Sequence, residues 1–362
     1  MLRTHFRLRS IAAVAACLLT VAATTAAVGA KAAATSRRAV TFRTRTMGSW
    51  ASLTLVTADS ASVARLAHAA LLSFHHTDSL MTNWTTTSEV ARLNGTAGGP
   101  ATRVEPEVAA VIALAAEVNA ASGGAFDLTV EPLVRLWGFL GGTPRVPDAA
   151  ELETTRRLVG WERVAWDPAG GRLGLPAAGM RIDLGGIAKG HGVDQVAGML
   201  RSAGVTDALV DLTGNMAALG DAPGHAGWVV GIRDPRDRGP YLATLRLHDR
   251  CVSTSGDYVQ FISEGGRRHG HILDPRTGWP AHGLSSATVV AARAAVADAW
   301  STALFVLGPA EARRVAAART DIAAVLLQPV PGARDTLWVE SALMPMVTVA
   351  PAFIDSLVLR PF

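Results

Sequence analysis

The sequence is poor in cysteine. Only two of its 362 residues are cysteines, Cys17 and Cys251, and Cys17 lies in an apolar N-terminal run. If that run is removed, only Cys251 remains, and an internal disulfide framework is excluded. Cys251 stands in the strand-like stretch "RCVSTS". We therefore predict that it is a buried small apolar residue.

The chain also lacks runs of basic residues. It has 34 Lys and Arg against 30 Asp and Glu, and Arg3, Arg7 and Arg9 belong to its first ten residues. Beyond these the charges nearly balance, so no basic patch indicates binding to nucleic acid. Internal repeats and the glycine spacing of Walker or Rossmann loops are absent too. With 49% hydrophobic and 18% charged residues, the composition is that of a globular protein rather than a disordered one.

The N-terminus has the organisation of a secretory signal. A basic start is followed by an apolar run from Ile11 to Val28 and by small residues ending at Ala30. We predict a signal peptide over 1–30, a polar linker over 31–38 and one domain over 39–362. Two alternatives remain: a retained membrane anchor, and a lipobox, "VAAC", which would place a lipid on Cys17. All three interpretations predict an exported chain, periplasmic or extracytoplasmic. A lipid anchor would add association with a membrane surface.

Periodicity along the chain predicts helices and strands in separate blocks. "VTFRTRTMGSWASLTLVT" alternates and turns at Met47-Gly48, which indicates a hairpin. Strands dominate between 207 and 292 and recur near 322–328 and 336–340. Helical spacing occupies other segments: 60–80, 105–121, 148–158, the stretch after Gly186 to about Ala203, 294–307 and 309–319. The predicted fold class is α+β, with mixed or antiparallel sheets and segregated helices.

The apolar helix "ADAWSTALFVLG" carries a small polar patch. Asp298, Ser301 and Thr302 recur at i, i+3 and i+4 and therefore share one face. A carboxylate with hydroxyl oxygens suits a hard cation such as Mg²⁺. The alternative is an Asp that stabilises the helix start, with hydroxyls bonded back to the preceding turn. On this stretch alone, that alternative is favoured.

Two further stretches contain glycines before a polar or aromatic run. In "RIDLGGIAKGHGVD", Asp183 precedes Gly185-Gly186 and Lys189, an arrangement that suits a phosphate at a helix N-terminus. A turn capped by an Asp explains the same residues. "GGAFDLTVEPLVRLWGF" places Asp127 after a glycine pair and ends in aromatic residues that are more often part of a core.

A single histidine precedes a strong turn signal. In "HGHILDPRTGWP", His271 lies in a predicted strand just before Asp274-Pro275. A histidine at a strand end can act as a general base. A hydrogen-bonded structural histidine is the more common case.

Taken together, these stretches resemble the ApbE family of FAD:protein FMN transferases. The resemblance runs from about residue 41 to 340 and rests on motifs in a fixed order: "MGSW", "SLMTNWTTTSEVARLN", "GGAFDLTVEPLVRLWGF", "RIDLGGIAKGHGVDQV", "ALVDLTGNMAALG", "WVVGIRDP", "VSTSGDYVQFI", "HILDPRTGWP" and "ADAWSTALFVLG". It implies an exported, Mg²⁺-dependent enzyme that cleaves FAD. FMN would be attached through its phosphate to a threonine of an acceptor flavoprotein, and AMP would be released.

The resemblance also implies roles for particular residues. Asp298 and Thr302 match metal-binding positions, Ser301 a third position that can take part, and the Gly186 carbonyl a further ligand. His271 matches the residue that assists deprotonation of the acceptor hydroxyl. The remaining matches are to contacts with FAD: Met47, Ala125, Phe126, Asp127, Asp183, Lys189 and Leu273.

Three positions depart from the family pattern. Thr213 replaces a usual glycine, which puts the local turn in doubt, and Trp84 replaces a usual tyrosine while keeping an aromatic face. Ser301 is a weaker ligand than an aspartate. Two other functions stay open at this point: hydrolysis of FAD to FMN and AMP, and binding of flavin by an exported protein without catalysis.

Overall fold

The computed structural model describes residues 37–236, 239, 241–258 and 260–362, without the side chain of Arg267. The predicted signal peptide and most of the linker lie outside the described residues. Seven α-helices occur in the described part: α1 (Ser60–Met81), α2 (Glu89–Asn94), α3 (Pro106–Ala121), α4 (Glu131–Leu136), α5 (Ala149–Arg156), α6 (Ala188–Ser202) and α7 (Ala294–Ala317). None of these described helices is both long and apolar enough to cross a bilayer.

The described strands form one large sheet and three small ones. The strands are β1 (Arg38–Thr46), β2 (Ser49–Thr57), β3 (Thr102–Arg103), β4 (Ala165–Asp167), β5 (Arg172–Gly174), β6 (Ala208–Leu212), β7 (Asn215–Leu219), β8 (Trp228–Ile232), β9 (Ala243–Leu247), β10 (Arg250–Gly256), β11 (Phe261–Glu264), β12 (Arg267–Gly270), β13 (Ser286–Ala291), β14 (Ile322–Gln328), β15 (Asp335–Val339), β16 (Val347–Val349) and β17 (Leu357–Pro361). The nine-stranded sheet has the order β1-β2-β6-β7-β10-β13-β14-β15-β17. Its neighbours are antiparallel except β15 and β17, which are parallel.

The large sheet is covered on both faces, as β13 illustrates. All six of its residues are buried. Ala287, Val289 and Ala291 pack with α7 in one core cluster, whereas Val290 points to the other face and packs with the small sheet β16-β9-β8. Helices on one face and a second sheet on the other confirm the predicted α+β class.

Several predicted elements are confirmed, and others are wrong. The hairpin turns at Met47 and Gly48, and α7 is interrupted at Gly308, whose φ of 73° separates the two predicted helices. The sequence interpretation missed β7, because "NMAALG" follows the preceding strand after only two residues. The sequence predicts His271 within a strand, and this is wrong, because β12 ends at Gly270. The chain there turns into a short bridge between Leu273 and Pro280.

Helices α6 and α7 approach very closely where the site is built. A Cβ atom placed on Gly190 of α6 would lie 2.7 Å from the Ala295 Cα of α7. The carboxylate of Asp194, also on α6, accepts hydrogen bonds from the Ala294 and Ala295 N–H groups at 2.6 and 3.1 Å. This carboxylate satisfies the free N–H groups that begin α7. Together, the close contact and the cap fix the position of the polar patch on α7.

The turn between β6 and β7 forms although its first residue is Thr213, where the resemblance implies a glycine. Thr213 and Gly214 both have positive φ values, 55° and 87°, between the paired residues Leu212 and Asn215. A two-residue turn of this kind suits the twist of a hairpin. A β-branched residue in that conformation is strained by about 1–2 kcal/mol.

Replacing Thr213 with glycine is therefore expected to stabilise the protein. Relief of the strain exceeds the extra entropy of glycine in the unfolded chain, for a net gain of about 0.5–1 kcal/mol. Denaturant unfolding measures the change. The control is Gly214→Ala, which adds strain at φ 87° in the same exposed turn and should lower stability. A Thr213→Gly protein less stable than wild type contradicts the strain argument.

Candidate active site

The polar patch of α7 faces inward. Asp298 and Ser301 are 4% and 0% exposed. The Asp298 Oδ2 atom accepts a hydrogen bond from the Gly190 N–H at 2.9 Å, and Oδ1 accepts one from the Ser253 hydroxyl at 3.3 Å. The hydroxyls of Ser301 and Thr302 reach back to the Asp298 carbonyl at 2.9 and 3.4 Å. The back-bonding expected of an ordinary helix therefore occurs, but around a carboxylate held in the interior.

Strand β10 adds more oxygen atoms to this patch. Its Ser255 hydroxyl lies 2.8 Å from the Ser301 hydroxyl and 3.1 Å from that of Thr302. Its Ser253 hydroxyl also lies 2.7 Å from the Asn215 side-chain carbonyl, so its single proton is shared between Asn215 and Asp298. Because Ser253 and Ser255 are two residues apart on one strand, both point to the same face. The result is an oxygen-rich cluster between α7 and the large sheet.

Gly186 lies beside this cluster, just before α6. A Cβ atom there would be 3.6 Å from the Thr302 hydroxyl and 3.0 Å from the Phe126 ring. Lys189 is the second residue of α6, and its Nζ donates to the Gly185 carbonyl at 2.9 Å. The structure thus brings Gly186, Phe126 and Lys189 together with the patch on α7.

The electrostatics of Asp298 favour a cation. Burial raises the pKa of its carboxyl, and the charge of Lys189, the Gly190 N–H and the Ser253 hydroxyl oppose that rise. In the described part of the chain no three His, Cys, Asp or Glu side chains converge on one point. The donors are instead one carboxylate with neutral hydroxyl oxygens. Such a set fits Mg²⁺, which keeps waters and phosphate oxygens among its ligands, whereas thiolate and imidazole ligands for softer metals are missing from this cluster.

Asp183 is held at the edge of the same region. Its Oδ1 atom accepts hydrogen bonds from the Gly185 N–H at 2.9 Å and from Asn83 Nδ2 at 3.1 Å. Asn94 supports Asn83 from behind, donating to its side-chain carbonyl at 3.0 Å. Burial raises the pKa of Asp183 against these hydrogen bonds. Trp84, next to Asn83, is 69% exposed, so its aromatic face is open to a ligand.

Asp127 has a different environment. Its Oδ1 atom accepts from both the N–H and the hydroxyl of Thr129, at 2.7 and 2.6 Å, and Oδ2 accepts from the Trp161 N–H at 2.9 Å. The carboxylate is thus engaged within the protein, with its pKa raised by burial. Ala125 and Phe126 precede it and are 1% and 5% exposed. A role in binding FAD remains a prediction for all three.

His271 follows the β11–β12 hairpin. Its backbone N–H donates to the Gln260 carbonyl at 3.1 Å, and its ring Nδ1 lies 3.2 Å from the same oxygen. The Phe139 ring meets the imidazole edge-on, with centroids 6.3 Å apart. Burial, aided by the Lys189 charge, lowers the pKa of His271 to about 4. The imidazole is therefore neutral near pH 7 and lies within electrostatic reach of Lys189.

Met47 and Leu273, two further residues for which FAD contacts are predicted, are held by contacts within the protein. The Met47 N–H donates to Asp78 at 3.0 Å, and the side chain packs between the two clusters that contain α1 and α7. Leu273 is 5% exposed and packs with Trp137 and Phe139. The Phe139 contact connects Leu273 to His271. Their predicted contacts with FAD stay predictions.

Sequence reasoning missed several residues that build this site. Ser253 and Ser255 lie in "VSTSGDYVQFI", where their i, i+2 spacing in a strand is the available signal. Asn215 became recognisable only once β7 was assigned. For Gly190 no sequence signal exists, because its importance comes from contact with a helix about a hundred residues later.

Comparisons with known proteins identify the family of this chain. A model of the ApbE family matches residues 47–326. Among curated relatives, an FAD:protein FMN transferase of Klebsiella pneumoniae is 35% identical over 66% of this chain and 75% of its own length. One from Haemophilus influenzae is 35% identical over 65% and 70%. Among solved structures, the flavin transferase ApbE from Vibrio cholerae superposes with a TM-score of 0.77 at 28% identity, covering 86% of this chain and 99% of that one. The chain belongs to the ApbE family.

Proposed function

We propose that this chain is an FAD:protein FMN transferase that depends on Mg²⁺. It would transfer FMN from FAD to a threonine hydroxyl of an acceptor flavoprotein, forming a phosphoester and releasing AMP. The observation that carries the proposal is the buried Asp298 among hydroxyls, next to Gly186 and within reach of the charge of Lys189. The names of the curated relatives support the transfer of FMN from FAD to a protein.

The residues of the oxygen cluster fit a bound Mg²⁺. Asp298 and Thr302 would hold the ion, with Ser301 and the Gly186 carbonyl available as further ligands. When bound, Mg²⁺ supplies charge that neutralises the pyrophosphate of FAD. The protein otherwise contributes Lys189, a positive charge beside the same pyrophosphate. Asp183, which accepts a hydrogen bond from the Asn83 amide, would contact the nucleotide.

His271 is suited to accept the proton of the threonine. A carbonyl oxygen can only accept a hydrogen bond, so the contact with Gln260 places the proton on Nδ1 and leaves the lone pair on Nε2. The threonine oxygen attacks the FMN phosphorus and its proton passes to Nε2. The bond from that phosphorus to the bridging oxygen breaks, and AMP leaves with the electron pair. A positioned base of this kind contributes roughly 10²–10⁴-fold.

The decisive test uses the mature protein with FAD, Mg²⁺ and a threonine-containing acceptor flavoprotein. A fluorescent acceptor whose mass increases by one FMN, with an equal amount of AMP, is the expected result. AMP release without any labelled acceptor would favour FAD hydrolysis. Binding of FAD without turnover would favour a non-catalytic flavin carrier, which the transferase names of the relatives oppose.

The pKa of His271 predicts how the reaction depends on pH. With a pKa of about 4, the imidazole stays neutral from pH 7 down to about 5 and becomes protonated as the pH falls through 4. The kcat/KM for FAD should therefore hold to about pH 5 and then decline. An NMR titration of the His271 ring, compared with His271→Gln, checks the assignment. A midpoint near 6.5 contradicts it.

The N-terminal leader suggests where the reaction occurs. We propose that the protein is exported and works in the periplasm or another extracytoplasmic space, close to exported flavoprotein acceptors. A lipid on Cys17 would hold it at a membrane surface. The intact mass of the protein purified from membranes and from the soluble fraction distinguishes cleavage after Ala30 from lipidation.

A further inference from the structure

The motif "SLMTNWTTTSEVARLN" contains two asparagines, Asn83 and Asn94, whose side chains are hydrogen-bonded to each other. Asn94 is the last residue of α2 and is 3% exposed. Its Oδ1 atom accepts the Ile182 N–H at 2.7 Å, and its Nδ2 atom donates to the Ile182 carbonyl at 3.0 Å. One side-chain amide therefore makes the two hydrogen bonds that a neighbouring antiparallel strand would make.

Asn83 completes this network. Its Oδ1 atom accepts the second Nδ2 proton of Asn94 at 3.0 Å. Its own Nδ2 protons go to the Ile182 carbonyl and to Asp183 Oδ1, both at 3.1 Å. All the amide protons of the two asparagines are thus used. Because the Asn94 Oδ1 atom faces the Ile182 N–H, neither amide can flip without placing donors against donors.

The network determines which oxygen of Asp183 is free. Its Oδ1 atom accepts from Asn83 and from the Gly185 N–H, at 3.1 and 2.9 Å, so both lone pairs of that oxygen are used. In the part of the chain that the structure describes, no group donates to Oδ2, and this oxygen is not buried. Asp183 thus presents one open acceptor at the edge of the site.

The backbone on either side of this carboxylate is fixed as well. The Asp183 N–H donates to the Leu128 carbonyl at 2.7 Å. Ile182 and Leu184 are completely buried, whereas Asp183 between them is only half-buried. Two apolar side chains therefore anchor the segment in the core and leave the carboxylate facing outward.

We propose that Asn94 and Asn83 are positioning residues for FAD, which hold Asp183 so that its Oδ2 atom accepts a hydrogen bond from an N–H or O–H group of the nucleotide. The inference rests on the proposed function, in which Asp183 contacts FAD. An acceptor that is already fixed needs no ordering when FAD binds, so it strengthens binding. The contact is made equally in the ground state and in the transition state, so its loss raises the KM and leaves kcat unchanged.

Substitution of either asparagine tests this role through the affinity for FAD. Asn83→Ala removes the donor to Asp183 at a half-buried position. Asn94→Asp removes both donors of Asn94 but keeps an acceptor for the Ile182 N–H. In each variant the Kd for FAD, measured by flavin fluorescence in buffer without Mg²⁺, should rise about tenfold, the effect of one hydrogen bond. The kcat at saturating FAD should stay within about twofold of wild type.

Val90→Ala is the matched control for lost stability. Val90 belongs to the same helix as Asn94 and is completely buried, but it is an apolar side chain outside the network. Its truncation should lower the melting temperature, because it leaves a cavity, and should not change the Kd for FAD.

AMP and FMN, each used as a competitor of FAD, identify which half of the nucleotide donates to Oδ2. In Asn83→Ala the loss of affinity should fall on one half and leave the other unchanged. An unchanged Kd for FAD in Asn83→Ala, equal losses for AMP and FMN, or the same loss in Val90→Ala would each overturn the positioning role. A wild-type protein that binds FAD but transfers no FMN to any acceptor would instead overturn the proposed function. The two failures are therefore distinguishable.

Discussion

Replacing Asp298 with asparagine is expected to reduce Mg²⁺-dependent FAD cleavage by roughly 10²–10³-fold. The substitution removes the only carboxylate of the oxygen cluster and with it several kcal/mol of charge stabilisation around the pyrophosphate. The fold should tolerate it well. An asparagine oxygen can still accept the Gly190 N–H. The substitution also removes the cost of burying a charge, the cost that raises the pKa of Asp298. Initial rates over a Mg²⁺ titration, together with the melting temperature, measure both effects.

Asp298→Asn removes the charge but keeps a hydrogen-bond acceptor for Gly190, so it tests the role of the charge better than Asp298→Ala does. Asp298→Ala would also strip the Gly190 N–H of its partner, at a cost of about 1–3 kcal/mol for a buried donor. Asp194→Asn is the matched control, because it removes a neighbouring carboxylate charge that caps α7 without belonging to the cluster. It should keep the Mg²⁺ dependence. An Asp298→Asn enzyme with wild-type rates at saturating Mg²⁺ would refute the metal-binding role.

Local sequence patterns predicted the elements of this site more reliably than its assembly. The i, i+3, i+4 spacing placed Asp298, Ser301 and Thr302 on one face of a helix, and they do share a face. On that stretch alone the structural explanation of the patch was favoured. The difference lies in what the patch faces: Ser253 and Ser255, on a strand more than forty residues earlier, turn it into an enclosed cluster.

Assignments failed where a tertiary contact decides the outcome. The sequence pattern predicts β6 but not β7, because "NMAALG" follows β6 after only two residues, yet pairing with β2 and β10 in the large sheet imposes a turn at Thr213 and Gly214. The segment "GHILDP" has the pattern of a regular strand and therefore predicts His271 within one. In the fold, the Asp274–Gly278 turn draws the chain away from β12, so the imidazole lies past the strand end. Neither outcome can be derived from local propensity.

The contact between α6 and α7 carries the largest expected effect on stability. A methyl group on Gly190 would collide with the Ala294 carbonyl oxygen and lie 2.7 Å from the Ala295 Cα. These are backbone atoms of a capped helix start, which cannot rotate away as a side chain could. Gly190→Ala should therefore cost about 3 kcal/mol, or a melting temperature lower by about 6 °C in a domain of this size. Separation of the helices should also weaken the Gly190 hydrogen bond to Asp298 and reduce FAD cleavage.

The same helix provides a matched control. Gly198 lies two turns further along α6, is exposed, and has no atom within 4 Å of an added Cβ. Alanine is the better helix former by about 0.8–1.0 kcal/mol, so Gly198→Ala should raise stability and leave activity unchanged. A loss of stability in Gly190→Ala and a gain in Gly198→Ala would show that the loss comes from the α6–α7 contact and not from helix propensity. If Gly190→Ala proved as stable as Gly198→Ala, the two helices could separate freely. The site would then not depend on their close approach to hold Asp298 against the sheet.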